Sequence, residues 1–121
     1  MASFAVSAAD MDVTLSGDQE VPSVTTMASG EAQFSVDDDM ILSGSVKTTG
    51  ITATAAHIHA GAAGTNGPVT ISLMMKGENE WVVPADTKLT AEQMTELEAG
   101  LMYVNVHSAE HKGGEIRAQL Q

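Results

Sequence analysis

The chain contains no cysteine, which excludes disulfides and thiolate metal sites and leaves the redox compartment unmarked. Basic residues are also scarce, five Lys and Arg against 16 Asp and Glu, for a formal net charge of −11. That balance opposes phosphate backbones and anionic membranes, so nucleic acid is not an expected partner. No apolar run approaches the roughly 20 residues that span a bilayer, so membrane insertion is not expected. Met1-Ala2-Ser3-Phe4 lacks the charged start and long apolar core of a signal peptide. The 121 residues fit one domain, 1–121, long enough to bury a real core.

What the sequence has is alternation. Met11, Val13 and Leu15 alternate with polar residues, as do Ala28, Gly30, Ala32, Phe34 and Val36; each set is one face of a half-buried strand. Gly17 to Pro22 breaks the first strand. Asp37-Asp38-Asp39 reads as a solvated hairpin tip; the spacing of a calcium loop is absent. Ile41, Leu42 and Val46 mark a third strand with Gly44 as its bulge, and Val69, Ile71 and Leu73 the inward face of another. Thr90 and Gln93 form a capping box for one short helix, Ala91 to Ala99, with Met94 and Leu97 apolar and Gly100 its stop. The expected fold is all-β, an antiparallel Greek-key sandwich or barrel of about seven or eight strands with that helix.

Histidines are few and clustered. His57 and His59 lie two residues apart in Ala55-Ala56-His57-Ile58-His59-Ala60-Gly61, so a strand puts both on one face and Ala56, Ile58 and Ala60 on the other. The remaining two, His107 and His111, sit at the end of another strand, Leu101 to His107. There Met102, Val104 and Val106 take one face, Tyr103, Asn105 and His107 the other. Past the turn at Gly113-Gly114, Ile116, Ala118 and Leu120 face the core and leave Glu115, Arg117 and Gln119 outside. A strand-borne pair cannot wrap an ion alone, so His57, His59, His107 and His111 are the candidate metal ligands. Copper is expected ahead of zinc, since imidazoles suit both and intrinsic affinity favours Cu(II). Met75 and Met102 are candidate soft ligands for Cu(I), although most Met read as core filler. Tyr103 and Asn105 are expected to support the ligands by hydrogen bonding. Arg117 reads as an ion-pair partner of Glu115 or Glu110, or as a guide for a small anion.

Val21-Pro22, the His57 segment with Gly64-Thr65-Asn66-Gly67-Pro68, and Leu101 to His107 with Gly113 to Gln119 together resemble the CHRD domain, the repeat first described in chordin. The resemblance runs from about Ala9 to Leu120. It implies an antiparallel β-fold of secreted or periplasmic proteins. The His-x-His strand is also similar, at the level of a site, to the copper strand of Cu/Zn superoxide dismutase. Three functions follow as expectations: a copper-binding protein for storage, transfer or redox; a superoxide-dismutase-like copper enzyme; and a metal-free extracellular module that binds a protein partner or a second copy of itself.

Overall fold

The computed structural model describes residues 9–121, so Met1-Ala2-Ser3-Phe4 lies outside the described residues. The chain folds into two antiparallel sheets around a shared core. One sheet is built from β1 (Ala9–Leu15), β2 (Ser29–Val36), β3 (Ile41–Thr49), β7 (Glu80–Val82) and β6 (Met74–Gly77) in that order. The two-residue β8 (Thr87–Lys88) pairs the end of β3. The second sheet has the order β10 (Ile116–Gln119), β9 (Met102–Ser108), β4 (Ala53–Ala60), β5 (Val69–Ser72). Both contribute to one apolar cluster: Leu15, Phe34 and Val46 from the first sheet meet Ile58, Val104 and Val106 from the second.

The all-β sandwich agrees with the alternation in the sequence, and the one α-helix among the described residues agrees with its capping box. The helix α1 (Ala91–Glu98) carries the full Thr90–Gln93 capping box, buries Met94 and Leu97, and gives way to Gly100 at φ +74. Among the described residues ten strands are present where seven or eight were expected. The stretch 69–75 is two strands, because the chain leaves one sheet for the other at Leu73, whose N–H is held by Ala56 O at 2.9 Å. That crossing puts β5 at a sheet edge, so Val69 is exposed and Ile71 half-buried; only Leu73 of the three expected inward residues is buried. Gly44 is not a bulge. It pairs with Phe34 in an unbroken β2–β3 register, and its missing β-carbon makes room for the Phe34 ring and backbone. The two sheets are tied along one side, where Ser16 after β1 and Arg117 of β10 exchange backbone hydrogen bonds of 3.1 and 3.0 Å.

Ile58 lies in the second half of β4, 1% exposed, with a histidine on either side of it in sequence. Ile58→Ala should cost about 2–5 kcal/mol through lost transfer energy and a residual cavity. Urea denaturation measures this, and a loss below about 1 kcal/mol would contradict the packing described.

Candidate metal centre

Alternation sends Ala56 and Ile58 of β4 into the core and turns His57 and His59 to the outer face of the second sheet. On β9 the same rule turns Tyr103, Asn105 and His107 outward, and the register sets Asn105 opposite His57 and Tyr103 opposite His59. This outer face is not wet. His59 and His107 are buried and His57 half-buried, and Arg117, Gln119 and Glu115, expected outside, are all buried as well. The loops at 61–68 and 109–114 lie over the face and contribute its hydrogen-bond partners, and the turn at 17–22 brings Glu20 beside Asn105, making a second, polar layer outside the apolar core.

The loop carbonyls fix the rings. Lys112 O accepts from His107 Nδ1 at 2.8 Å, and a carbonyl can only accept, so that nitrogen carries the proton and Nε2 keeps its lone pair. His57 Nδ1, 2.9 Å from His107 Nε2, is therefore the donor between the two rings. His59 Nδ1 donates to Gly67 O at 2.9 Å by the same argument. The three rings stand 4.7 to 6.2 Å apart between centroids, and one ligating nitrogen from each lies within 4.8 Å of the others. His111 does not join them. Its backbone closes a turn with Ser108, and its side chain acts on the Glu115 carboxylate. Met75 lies exposed on the other sheet, and Met102 points into the core.

Burial holds the His57 pKa below the ordinary histidine value, and the neighbouring His107 and His59 push the same way. Burial also lowers His107; the Lys112 carbonyl opposes it and His59 adds to it. Both rings are thus neutral in the fold near pH 7, and the His57 Nδ1 proton shared with His107 Nε2 is the one that must move for the two nitrogens to face a metal.

Tyr103 stacks on His59 at 4.6 Å and 5°. The Arg117 guanidinium covers the Tyr103 ring at 3.4 Å from its centroid, on the opposite face, since one face cannot hold both groups at these distances. Arg117 donates to Ala62 O at 3.1 Å and to Asn66 and Gln119 at 3.4 Å. Neither expected acidic partner holds it. The Glu115 carboxylate is bonded to Thr26 and Ser108 instead, and at 1% exposure Arg117 is in no position to guide an anion from solvent.

Alternation missed one residue of this layer entirely. Glu20, in the turn after the short 3-10 helix Gly17–Gln19, is 6% exposed, and burial pushes its carboxyl up to about 7 against the pull of Arg117 and Asn105. Its Oε2 makes no hydrogen bond of good geometry, although the Asn105 amide lies beside it. A β-carbon on Gly114, at φ +122, would stand 2.5 Å from Asn105 Nδ2 and closer still to Glu20 Oε2. Gly114 is therefore glycine because Glu20 and Asn105 meet there. Asn105 Oδ1 in turn lies 2.9 Å from His59 Nε2. The only signal in the sequence was an acid set directly before Val21-Pro22, and turns commonly carry acids.

The CHRD-domain family model matches residues 11–120. The chain belongs to the CHRD family. Both expected motifs, the His57–His59 segment and the Tyr103–His107 strand, fall inside the matched region and form the two halves of the site. No curated protein and no solved structure matches the chain, and the likeness to Cu/Zn superoxide dismutase finds no support there.

Glu20 gives this CHRD domain a testable pH signature. Its pKa rises from 4.5 in the open chain to about 7 in the fold, so the folded state binds more protons between those values. The folded form therefore loses stability, relative to a chain without Glu20, as pH climbs through that window. Glu20→Gln should match the parent at pH 4 and exceed it at pH 8 by on the order of 2–3 kcal/mol. Urea denaturation of metal-free protein at both pH values reads this difference; a gap independent of pH would contradict the burial of an ionisable Glu20.

Proposed function

We propose that this small CHRD β module is a copper-binding protein of the cell envelope or secreted space, serving copper storage, transfer or redox, with His57, His59 and His107 as ligands. The observation that carries the reading is the cluster itself, one ring nitrogen from each of His57, His59 and His107 lying within 4.8 Å of the others. Among divalent ions, the intrinsic affinity of imidazole nitrogens favours Cu(II) over zinc. The donor chemistry fits as well. Lys112 O fixes which nitrogen of His107 faces His57, and an imidazole with its second nitrogen tied to a carbonyl is a stiffened, more basic ligand. When bound, copper would supply a one-electron couple; the protein's own part is to hold the rings neutral and oriented and to keep water from the sheet side.

The net charge of −11 draws cations and repels anions. Together with the burial of Arg117, it weighs against superoxide as substrate and for the binding reading. The location rests on the CHRD family, to which secreted and envelope proteins belong.

Titration of tag-free protein with Cu(II) at pH 7.5 should give one ion per chain. The His57→Ala/His59→Ala double variant should lose tight binding, whereas His111→Ala should stay within about threefold of the parent. Copper should raise the melting temperature, because the ion binds only the folded state. That rise should fade steeply below pH 6.5 and be nearly gone by about pH 4.5, as each ring must shed a proton to bind. Parent protein that takes up no copper, or a double variant that binds as the parent does, would leave a metal-free protein-binding module as the better reading.

A further inference from the structure

His59 enters the site with neither ring nitrogen free. Its Nδ1 donates to Gly67 O at 2.9 Å, and its Nε2 lies 2.9 Å from the side-chain amide of Asn105. Either orientation of that amide engages Nε2: the oxygen accepts from it when it carries a proton, and the amino group donates to its lone pair when it does not. An ion that takes His59 must therefore displace one of the two partners. Gly67 is the harder to move. Its N–H donates to the Tyr103 hydroxyl at 3.0 Å, Tyr103 stacks on the same imidazole, and a β-carbon at Gly67 would collide with Ala60 O, so this loop lies tight against the end of β4. Asn105 is the easier, because a side chain turns about its own bonds while the strand stays still.

We propose that Asn105 is a displaceable cap on the third ligand: it competes with copper for His59 Nε2 and so sets the affinity of the site. This rests on the copper reading.

The surroundings give the released amide somewhere to go. Asn105 Nδ2 lies 3.3 Å from Gly113 O, and beside it stands Glu20 Oε2, which makes no hydrogen bond of good geometry. Gly114, at φ +122, has no β-carbon to fill the space between them. Asn105 is 2% exposed, so water does not stand in for it on His59, and a hydrogen bond given up there counts in full. His57 is the most exposed of the three rings and engages His107. An arriving ion meets that pair first and recruits His59 last.

The test is a double-mutant cycle over parent, Asn105→Ala, His59→Ala and the double variant. Cu(II) affinity is measured at pH 7.5 by competition with a chelator of known strength. Asn105→Ala should bind about fivefold more tightly than the parent, the worth of one hydrogen bond that no longer has to be given up. In the His59→Ala background the same substitution should change affinity by less than about twofold, because the cap acts on His59 alone. A residue that merely braces β9 or steadies the ring predicts the opposite sign in the first comparison. Unchanged or weaker binding by Asn105→Ala, or a gain that persists without His59, overturns the cap and leaves the copper reading standing; a parent that binds no copper overturns both. Where Ala fails to fold, Asn105→Val repeats the cycle with a side chain that fills more of the space and suits a strand. Should neither fold, the 15N-labelled parent answers alone: on saturation with Zn(II), a diamagnetic dication that imidazoles also bind, the His59 Nε2 and Asn105 side-chain amide resonances should shift together. An Asn105 amide that stays in place while His59 coordinates, or a His59 ring that does not respond, overturns the proposal.

Discussion

Two backbone carbonyls, Gly67 O and Lys112 O, hold the histidine site in place, each by accepting a ring N–H just under 3 Å away. A buried imidazole left to itself rotates and exchanges tautomers; one tied at Nδ1 to a carbonyl has its Nε2 aimed in a single direction. Both carbonyls lie in loops that fold back over a sheet face rather than away from it. The Gly67 loop is anchored a second time, because Gly67 N–H donates to the Tyr103 hydroxyl at 3.0 Å. Tyr103 thus holds the loop with its oxygen and stacks on His59 and Arg117 with its ring.

The consequence is a sandwich with two interiors. Between the sheets lies an ordinary apolar core of Val, Ile, Leu and Phe, which carries the fold through area removed from water. Outside the second sheet lies a polar interior in which each group survives burial only through a partner. Glu115 has Thr26 and Ser108, Gln119 has Gly61 O and Gly100 O, and Arg117 has Ala62 O and the Tyr103 ring. Glu20 is the incomplete member, with one oxygen lacking a good partner. A buried carboxyl left short in this way is set apart from the structural ones, and it sits one amide from a candidate ligand.

Much of this was legible in the sequence, and the losses have a common cause. Alternation by twos assigned His57 and His59 to one face, and Tyr103, Asn105 and His107 to the face beside them, because strand geometry alone decides that. The Thr90–Gln93 box and Gly100 bounded the helix for reasons equally local. Alternation says which face a side chain takes but not what covers that face, so Arg117 and Gln119 read as solvent-exposed when loops distant in sequence bury them. His111 was drawn in by its nearness to His107 along the chain, whereas the turn at Ser108 sends it toward Glu115. Glu20 joins the layer over a separation of 85 residues from Asn105, and no periodic pattern spans such a distance.

The proposed copper site requires three imidazoles to meet at one ion. Electron paramagnetic resonance of tag-free protein with one equivalent of Cu(II) at pH 7.5 tests that most directly. It should give a single axial spectrum, with nitrogen superhyperfine splitting from three imidazoles that drops to two in His107→Ala. A spectrum of aquo copper, or a mixture of several species unaffected by His107→Ala, would contradict it.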